Sequence, residues 1–304
     1  MFVNVDEAVE ILSKGGNVII PTETVYGLAG SIKHPKAIDS IYDLKGRPRQ
    51  NPLIVHVSNI DQVLDLIEEP PKHFFDLIDS FWPGPLTLIV KSKTQINRAI
   101  TGGLSTIAIR MPNHPQALEV IEKVGPLAAP SANLSGKPSG TRYLHLEHDF
   151  GREIPVLEGE EPIYGVESTI LGWINDSWQV LRPGFLNICS LEEVLNQKLN
   201  NSFEKISPGS MFKHYSPDAK IVTDLDSISD VDAILGFENR PYSSNAPFFS
   251  LGRDDEPELI AHRLYDLLRK MDEFRFSRVW IDTKLPNEGL YYAILEKIHK
   301  AAFS

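Results

Sequence analysis

The chain has 304 residues, of which 42% are hydrophobic, a formal net charge of −11 and one cysteine, Cys189. This length suits one large domain or two ordinary ones, and no apolar run approaches the roughly 20 residues that span a bilayer. The acidic charge argues against a protein that mainly coats nucleic acid, and the single cysteine excludes an intrachain disulfide and a thiolate metal site.

Hydrophobic periodicity predicts an N-terminal region in which helices and strands interleave. The predicted helices cover residues 5–14, 35–45, 60–68, 71–80, 115–124 and 191–199. The predicted strands cover residues 17–20, 53–57, 86–91, 106–110, 127–130, 166–171 and 179–181. A polar loop is predicted over residues 22–30, and a capping box of Ser190 and Glu193 marks the start of the last helix. Since the elements lack a regular βαβ rhythm, the pattern indicates an α/β fold with a mixed sheet and packed helices.

A second region follows a stretch with the composition of a linker. Residues 200–217 are rich in Ser, Asn, Pro and Gly, yet residues 211–215 are aromatic and basic, which a passive tether would not need. We therefore predict that this linker is a lid over a ligand site. Beyond it, predicted strands at 220–223, 233–237, 247–251 and 279–281 and helices at 258–273 and 290–302 indicate a small second α/β domain. The predicted division is residues 1–199, 200–217 and 218–304.

Common catalytic signatures are absent from the sequence. It has no Walker A loop, no Gly-x-Gly-x-x-Gly, no His-Glu-x-x-His and no nucleophile elbow. The nine histidines show no metal-ligand spacing, and His145 with His148 reads as a plain surface segment. We expect no protein-bound metal site.

Short polar loops instead follow one predicted strand after another. Thr24, Arg110, Ser131 and Arg182 lie at or just beyond strand ends, and Ser168 lies where another strand opens. Each has a simple explanation as a turn former or an edge ion pair, but together they indicate a ligand site along one edge of a sheet. The stretch 45–49 adds three cations on a loop stiffened by proline. It is either a solvated basic loop or a site for phosphate or carboxylate.

The motifs closely resemble those of the L-threonylcarbamoyladenylate synthase family, in the same order and over nearly all of residues 10–190. They are PTETVYGL at 21–28, KGRP at 45–48 with NPL at 51–53, FWPGPLT at 81–87, IRMP at 109–112, APSAN at 129–133, SG at 135–136, GVEST at 165–169 and LRPG at 181–184. SPG at 207–209 and KHYSP at 213–217 resemble the linker of the longer, two-domain members. The resemblance implies a YrdC-like first domain with a mixed twisted sheet, a linker and a small Rossmann-like C-terminal domain.

The resemblance also implies an activity. Such an enzyme joins L-threonine, bicarbonate or CO2, and ATP into threonylcarbamoyl-AMP and releases pyrophosphate. A partner transferase complex then modifies the tRNA adenosine next to the anticodon. The reaction needs no protein nucleophile, which agrees with the absence of a catalytic triad. Independently of the resemblance, the single cysteine favours a reducing, cytoplasmic location.

The site residues that the resemblance implies fall into three groups. Lys45 and Arg47 would be catalytic, at the phosphates. The threonine pocket would consist of Thr24, His56, Arg110, Ser131 and Ser168. The ATP site would consist of Arg47, Asn51, Thr106, Asn133, Thr141, Arg182, His214 and Tyr215. Mg²⁺ would be carried mainly by the ATP phosphates, because no pair of carboxylates presents itself.

Two other interpretations stay open at this point. One is the carbamoyladenylate-forming module of hydrogenase-maturation proteins, which carry additional zinc-finger and transferase regions. The other is a noncatalytic RNA-binding module that uses the locally basic residues 33–56, where a weak tRNA contact would lie. No membrane association is expected.

Overall fold

The computed structural model describes residues 1–201 and 215–302, which form two sheets with helices packed against them. The predicted lid residues 202–214, His214 among them, lie outside the described residues. The helices are α1 (Val5–Ser13), α2 (Pro35–Lys45), α3 (Ile60–Leu66), α4 (Phe74–Phe81), α5 (Arg98–Thr101), α6 (Pro115–Val124), α7 (Tyr143–Phe150), α8 (Ile188–Leu195), α9 (Pro257–Glu273) and α10 (Gly289–Ala302), with a 3-10 helix at Leu225–Ser229. In the described part of the chain, no helix is both long enough and apolar enough to cross a bilayer.

The first sheet has 11 strands and mixed directions. Its strands are β1 (Phe2–Val3), β2 (Asn17–Ile20), β3 (Gly27–Ser31), β4 (Ile54–His56), β5 (Leu86–Lys91), β6 (Thr106–Arg110), β7 (Leu127–Ala128), β8 (Val156–Leu157), β9 (Thr169–Ile174), β10 (Ser177–Arg182) and β11 (Asn200–Asn201). Their order is β1-β8-β2-β3-β7-β4-β6-β5-β9-β10-β11. β4 and β6 run parallel, whereas β7 is antiparallel to both β3 and β4. The predicted mixed sheet is confirmed.

The second sheet is small and entirely parallel. It consists of β12 (Lys220–Val222), β13 (Ala233–Gly236), β14 (Phe248–Ser250) and β15 (Arg278–Ile281), in the order β12-β15-β13-β14. Its apolar core packs against α9 and α10 and also contains Val25 and Val166, which belong to the first region. Two side chains of the first region are thus buried in the core of the second. The exact domain boundaries at residues 199 and 217 stay predictions.

Three local predictions were wrong. Residues 27–31 form strand β3, not part of a loop; this strand is buried throughout and carries two glycines, so it shows no alternation. The last helix of the first region is capped by Asn187, which accepts from the Cys189 amide, so the helix begins before the predicted Ser190 box. His145 does not lie on the surface: it is 3% exposed on α7, a helix that the sequence did not reveal, and its Nε2 lies 3.2 Å from Asp266.

Candidate active site

The polar loops converge on one cavity of about 180 Å³ over one face of the large sheet, where its floor includes Ile54, Ala108 and Ile89. The loop after β2 supplies Thr24, and the ends of β4 and β6 supply His56 and Arg110, which are direct partners in the parallel register. Because β7 is antiparallel to β4, the loop that follows β7 lies at the other end of β4 from His56, and it contributes Ser131 to the cavity from there. The segments flanking β9 and β10 close the opposite wall.

Most of the predicted site residues line this cavity. They are Thr24, Lys45, Arg47, Asn51, His56, Arg110, Ser131, Asn133, Ser168, Arg182 and Tyr215. Thr106 and Thr141 do not line it. Thr106 lies two residues before the lining residue Ala108, at the start of β6, and Thr141 is buried beside His145 Nδ1. Their predicted roles in binding ATP stay predictions.

Arg110 is held from several sides. Its Nε donates to the Gly84 carbonyl at 3.1 Å and its Nη1 to Thr24 Oγ1 at 2.8 Å. Its Nη2 lies 2.7 Å from Glu23 Oε1, out of line for a hydrogen bond, so this pair is ionic only. Arg110 and Glu23 are both 4% exposed. A guanidinium fixed in this way presents a positive charge at one place in the cavity, which suits a carboxylate.

His56 is a neutral side chain in this wall. Burial, together with the charge of Arg110, lowers the pKa of His56 to about 3. Its Nδ1 is buried without a hydrogen-bond partner within the described residues. A ligand that supplies a partner for this nitrogen would remove the cost of leaving it unsatisfied.

Lys45 is buried and bound to the loop after β7. Its Nζ donates to the carbonyl of Ser131 at 2.5 Å and to that of Asn133 at 2.6 Å. Burial, with Arg47 nearby, lowers the pKa of Lys45 well below its usual value. Lys45 therefore fixes a cavity loop in addition to any role it has with a ligand.

Arg47 stiffens its own loop. Its Nε donates to the Asn51 carbonyl at 3.1 Å and its Nη2 to the Pro52 carbonyl at 2.8 Å. Burial lowers the pKa of Arg47 to about 10, so the side chain keeps its charge at neutral pH. The interpretation of stretch 45–49 as a solvated basic loop therefore does not fit Lys45 or Arg47.

In the opposite wall of the cavity, Arg182 and Ser168 are hydrogen-bonded to each other. Arg182 Nη2 donates to the Ser168 carbonyl at 3.0 Å and to its hydroxyl at 3.1 Å, and that hydroxyl also lies 2.7 Å from Thr87 Oγ1. In the facing loop, Ser131 donates to Asn133 Oδ1 at 2.6 Å. Hydrogen bonds within each wall thus orient the hydroxyls and amides of the cavity, as a binding site requires.

Sequence reasoning missed Glu167. Its carboxylate lines the cavity, accepting from Ser139 Oγ at 2.6 Å and from Tyr265 Oη at 2.7 Å. Burial raises its pKa, but Lys297 and Arg182, with these two hydrogen bonds, outweigh that effect and hold the pKa below its usual value. The sequence feature that could have revealed it is an acidic residue in the segment 165–169, directly before Ser168, which was predicted to bind threonine.

The described residues contain no group of three His, Cys, Asp or Glu side chains that could hold a metal ion. Among the described residues that line the cavity, Glu167 is the one carboxylate, and both of its oxygens already accept hydrogen bonds. The cavity thus offers cations and hydroxyls, which suit an anionic ligand.

Two family models together cover nearly the whole chain. The model of the Sua5/YciO/YrdC proteins, described as "Telomere recombination", matches residues 10–184. The model described as "Threonylcarbamoyl-AMP synthase, C-terminal domain" matches residues 186–303.

Individual relatives agree with these matches. The threonylcarbamoyl-AMP synthase of Bacillus subtilis is 39% identical, and the match covers 97% of this chain and 92% of that protein. The one from Pyrococcus abyssi is 34% identical over 99% of this chain and 97% of its own. The crystal structure of P. abyssi Sua5 complexed with L-threonine superposes with a TM-score of 0.90 at 32% identity, covering 100% of this chain and 98% of that one.

Proposed function

This chain belongs to the threonylcarbamoyl-AMP synthase family of enzymes, and we propose that its cavity joins L-threonine, bicarbonate or CO2, and ATP into threonylcarbamoyl-AMP with release of pyrophosphate. One observation carries the proposal: a buried guanidinium among hydroxyls shares a single cavity with a cationic wall. Arg110 with Thr24 suits the carboxylate of an amino acid, while Lys45, Arg47 and Arg182 suit phosphates.

The chemistry needs positioning more than a reactive side chain. The threonine amine adds to the carbon of CO2 and loses a proton, giving a carbamate. A carbamate oxygen then attacks the α-phosphorus of ATP, and the bond from that phosphorus to the pyrophosphate oxygen breaks. Both bonds form between substrates, so catalysis rests on orientation and on stabilising the negative charge that moves to pyrophosphate.

The residues of the cavity divide between these tasks. We propose that Arg110 binds the threonine carboxylate and that Thr24, His56, Ser131 and Ser168 surround its amine and hydroxyl. A neutral His56 accepts or donates a hydrogen bond without repelling the amine. Lys45 and Arg47 offset phosphate charge. Asn51, Asn133, Arg182 and Tyr215, which line the cavity, hold the rest of ATP, together with the predicted Thr106, Thr141 and His214.

Magnesium fits this site only when it is already bound to ATP. The described cavity residues offer no free carboxylate to bind it, since Glu167 is fully engaged. We propose that Mg²⁺ enters on the ATP phosphates and is held by them, where it would reduce the charge of the triphosphate.

We propose that the product passes to a transferase complex in the cytoplasm, which modifies the tRNA adenosine next to the anticodon. A broad RNA surface over residues 33–56 has little support from the structure. Lys45 is buried, Arg49 pairs with Asp39 and Asp43, and Lys33 Nζ donates to the Val124 carbonyl. A direct tRNA contact would be weak.

The decisive experiment is an assay of pyrophosphate release from ATP. We expect release that requires both threonine and bicarbonate, omitted in turn. A pocket that hydrogen-bonds a hydroxyl rejects the analogue without one strongly, so serine should be weaker and valine near background. Equal rates with valine and threonine, or release without an amino acid, would overturn the assignment. Salt-sensitive RNA binding without such release would indicate the noncatalytic alternative.

A further inference from the structure

One face of helix α9, in the second domain, lies against the segments of the first that carry cavity residues. Its contacts recur at roughly one-turn spacing. A Cβ on Gly165 would lie 2.4 Å from the His262 Cα, so the backbone of α9 touches the segment that leads to Glu167 and Ser168. Tyr265 and Arg269 follow one and two turns later on the same face.

Tyr265 connects two cavity residues. Its hydroxyl donates to Glu167 Oε2 at 2.7 Å, and its ring stacks on Tyr215, with the centroids 5.2 Å apart. Glu167 and Tyr215 both line the cavity, and Tyr265 is fully buried behind them. Because Ser168 is the next residue after Glu167, the contacts that hold the Glu167 side chain also restrain the backbone that carries the Ser168 hydroxyl.

Arg269 holds the loop that follows Asn133 at two points, Pro138 directly and Leu134 through Asp149. Its Nη1 and Nη2 donate to the two oxygens of Asp149, at 3.0 and 2.6 Å, while Nε and Nη2 donate to the Pro138 carbonyl, at 3.1 and 2.6 Å. Asp149 in turn accepts from the Leu134 amide at 3.2 Å. Arg269 therefore holds residues 134–138, the stretch that follows Asn133. A buried bidentate pair of this kind is strongly directional.

We propose that Tyr265 and Arg269 are positioning residues for the reaction. Tyr265 sets the geometry of the threonine side through Glu167 and Ser168, and Arg269 sets that of the nucleotide side through Asn133. This inference rests on the proposed ligands of Ser168 and Asn133. It gives the second domain a role in forming the site, because neither side chain lines the cavity and yet each holds a segment that does.

The test compares ligand affinities of full-length variants by calorimetry. Tyr265→Phe keeps the ring stacked on Tyr215 and removes one hydrogen bond to a carboxylate, so the Kd for threonine should rise about tenfold with the Kd for ATP unchanged. Arg269→Lys keeps the charge but cannot bond both Asp149 oxygens and the Pro138 carbonyl at once. The Kd for ATP should therefore rise by about the same factor, with threonine binding unchanged. Thermal melts establish that each variant is folded at the temperature used.

The second domain offers matched controls. Tyr291→Phe removes the hydrogen bond from a tyrosyl hydroxyl to the Asp254 carbonyl, and Arg240→Lys breaks the fork on Asp254 and Asp282. Both should leave the two affinities unchanged. If Tyr265→Phe and Arg269→Lys bind both ligands like the wild type, or lose both equally, the inference is overturned. Wild-type protein that fails to bind threonine and ATP would instead overturn the proposed function.

Discussion

At the scale of single residues, the cavity cations are notable for being engaged with the protein before any ligand arrives. Lys45, Arg47 and Arg110 all donate to backbone carbonyls. Holding a charged side chain in one rotamer costs entropy, and here that cost is met on folding and not on binding. The same contacts mean that these cations also stabilise the loops they touch.

Replacing Lys45 tests this double role. Lys45→Met keeps the length of the side chain but leaves the Ser131 and Asn133 carbonyls without their donor. We expect the free energy of unfolding of the ligand-free protein to fall by about 1–3 kcal/mol in urea denaturation. Lys36→Met, on the exposed side of α2, is the control and should change it little. An unchanged stability would show that Lys45 serves only the ligand.

Replacing Arg110 and Arg47 one at a time tests which substrate each side chain binds. Arg110→Ala should weaken threonine binding about 10- to 150-fold, the range for a lost hydrogen bond to a charged group, and spare ATP. Arg47→Ala should do the reverse, because it lies on the phosphate side. Calorimetry with each ligand alone gives both constants. If both variants bound both ligands normally, the two side chains would be structural.

At the scale of elements, the contact of Gly165 with α9 permits a test of domain packing. Gly165 has φ of +72°, and an added Cβ would lie 2.6 Å from the Ala261 carbonyl oxygen as well as against His262. Gly46 has φ of +59° but nothing within 4 Å of its Cβ position. Gly46→Ala should therefore cost only backbone strain, about 1 kcal/mol, whereas Gly165→Ala should cost more, because α9 must move. Equal losses in urea denaturation would mean that α9 packs loosely there.

The elements that the sequence predicted well are those with a clear period. The helix at 35–45 has its apolar residues on one face and a glycine after its end, and the structure gives the same bounds. Strand β6 also agrees, because it is a β-branched run that ends in Arg110 and Met111-Pro112. Strand β3 and helix α7 were missed, since Gly27–Ser31 shows no alternation and Tyr143–Phe150 is short and polar.

The candidate site followed the same logic. Polar residues at strand ends pointed to Thr24, Arg110 and Ser168, which all line one cavity over a face of the sheet. Glu167, Tyr265 and Arg269 could not be found in this way, because their meeting depends on how the second domain packs against the first. Such long-range contacts leave no periodic trace in the sequence.

At the scale of the whole molecule, buried histidines connect folding to pH. Burial is the first cause that lowers the pKa of His56, His114 and His145 in the folded protein. The unfolded chain therefore binds more protons than the folded one once the pH falls below the ordinary histidine value of 6.5. For His56, the pH range in which the unfolded chain binds this extra proton extends from 6.5 down to about 3. Asp266 and Glu296, whose pKa values lie near 2, act in the same direction at lower pH, because their stabilisation is lost as they are protonated.

This predicts a protein that loses stability on mild acidification, well before its carboxylates titrate. Between pH 7 and 5 the free energy of unfolding should fall, with a limiting slope of about 1.4 kcal/mol per pH unit for each histidine that stays neutral when folded. Urea denaturation at a series of pH values measures this slope. His56→Gln should lower this slope by close to the contribution of one histidine, about 1.4 kcal/mol per pH unit, because glutamine fills a similar space and does not titrate. A wild-type stability that stayed flat from pH 7 to 5 would mean that water or a rearranged wall lets His56 take up its proton in the folded state.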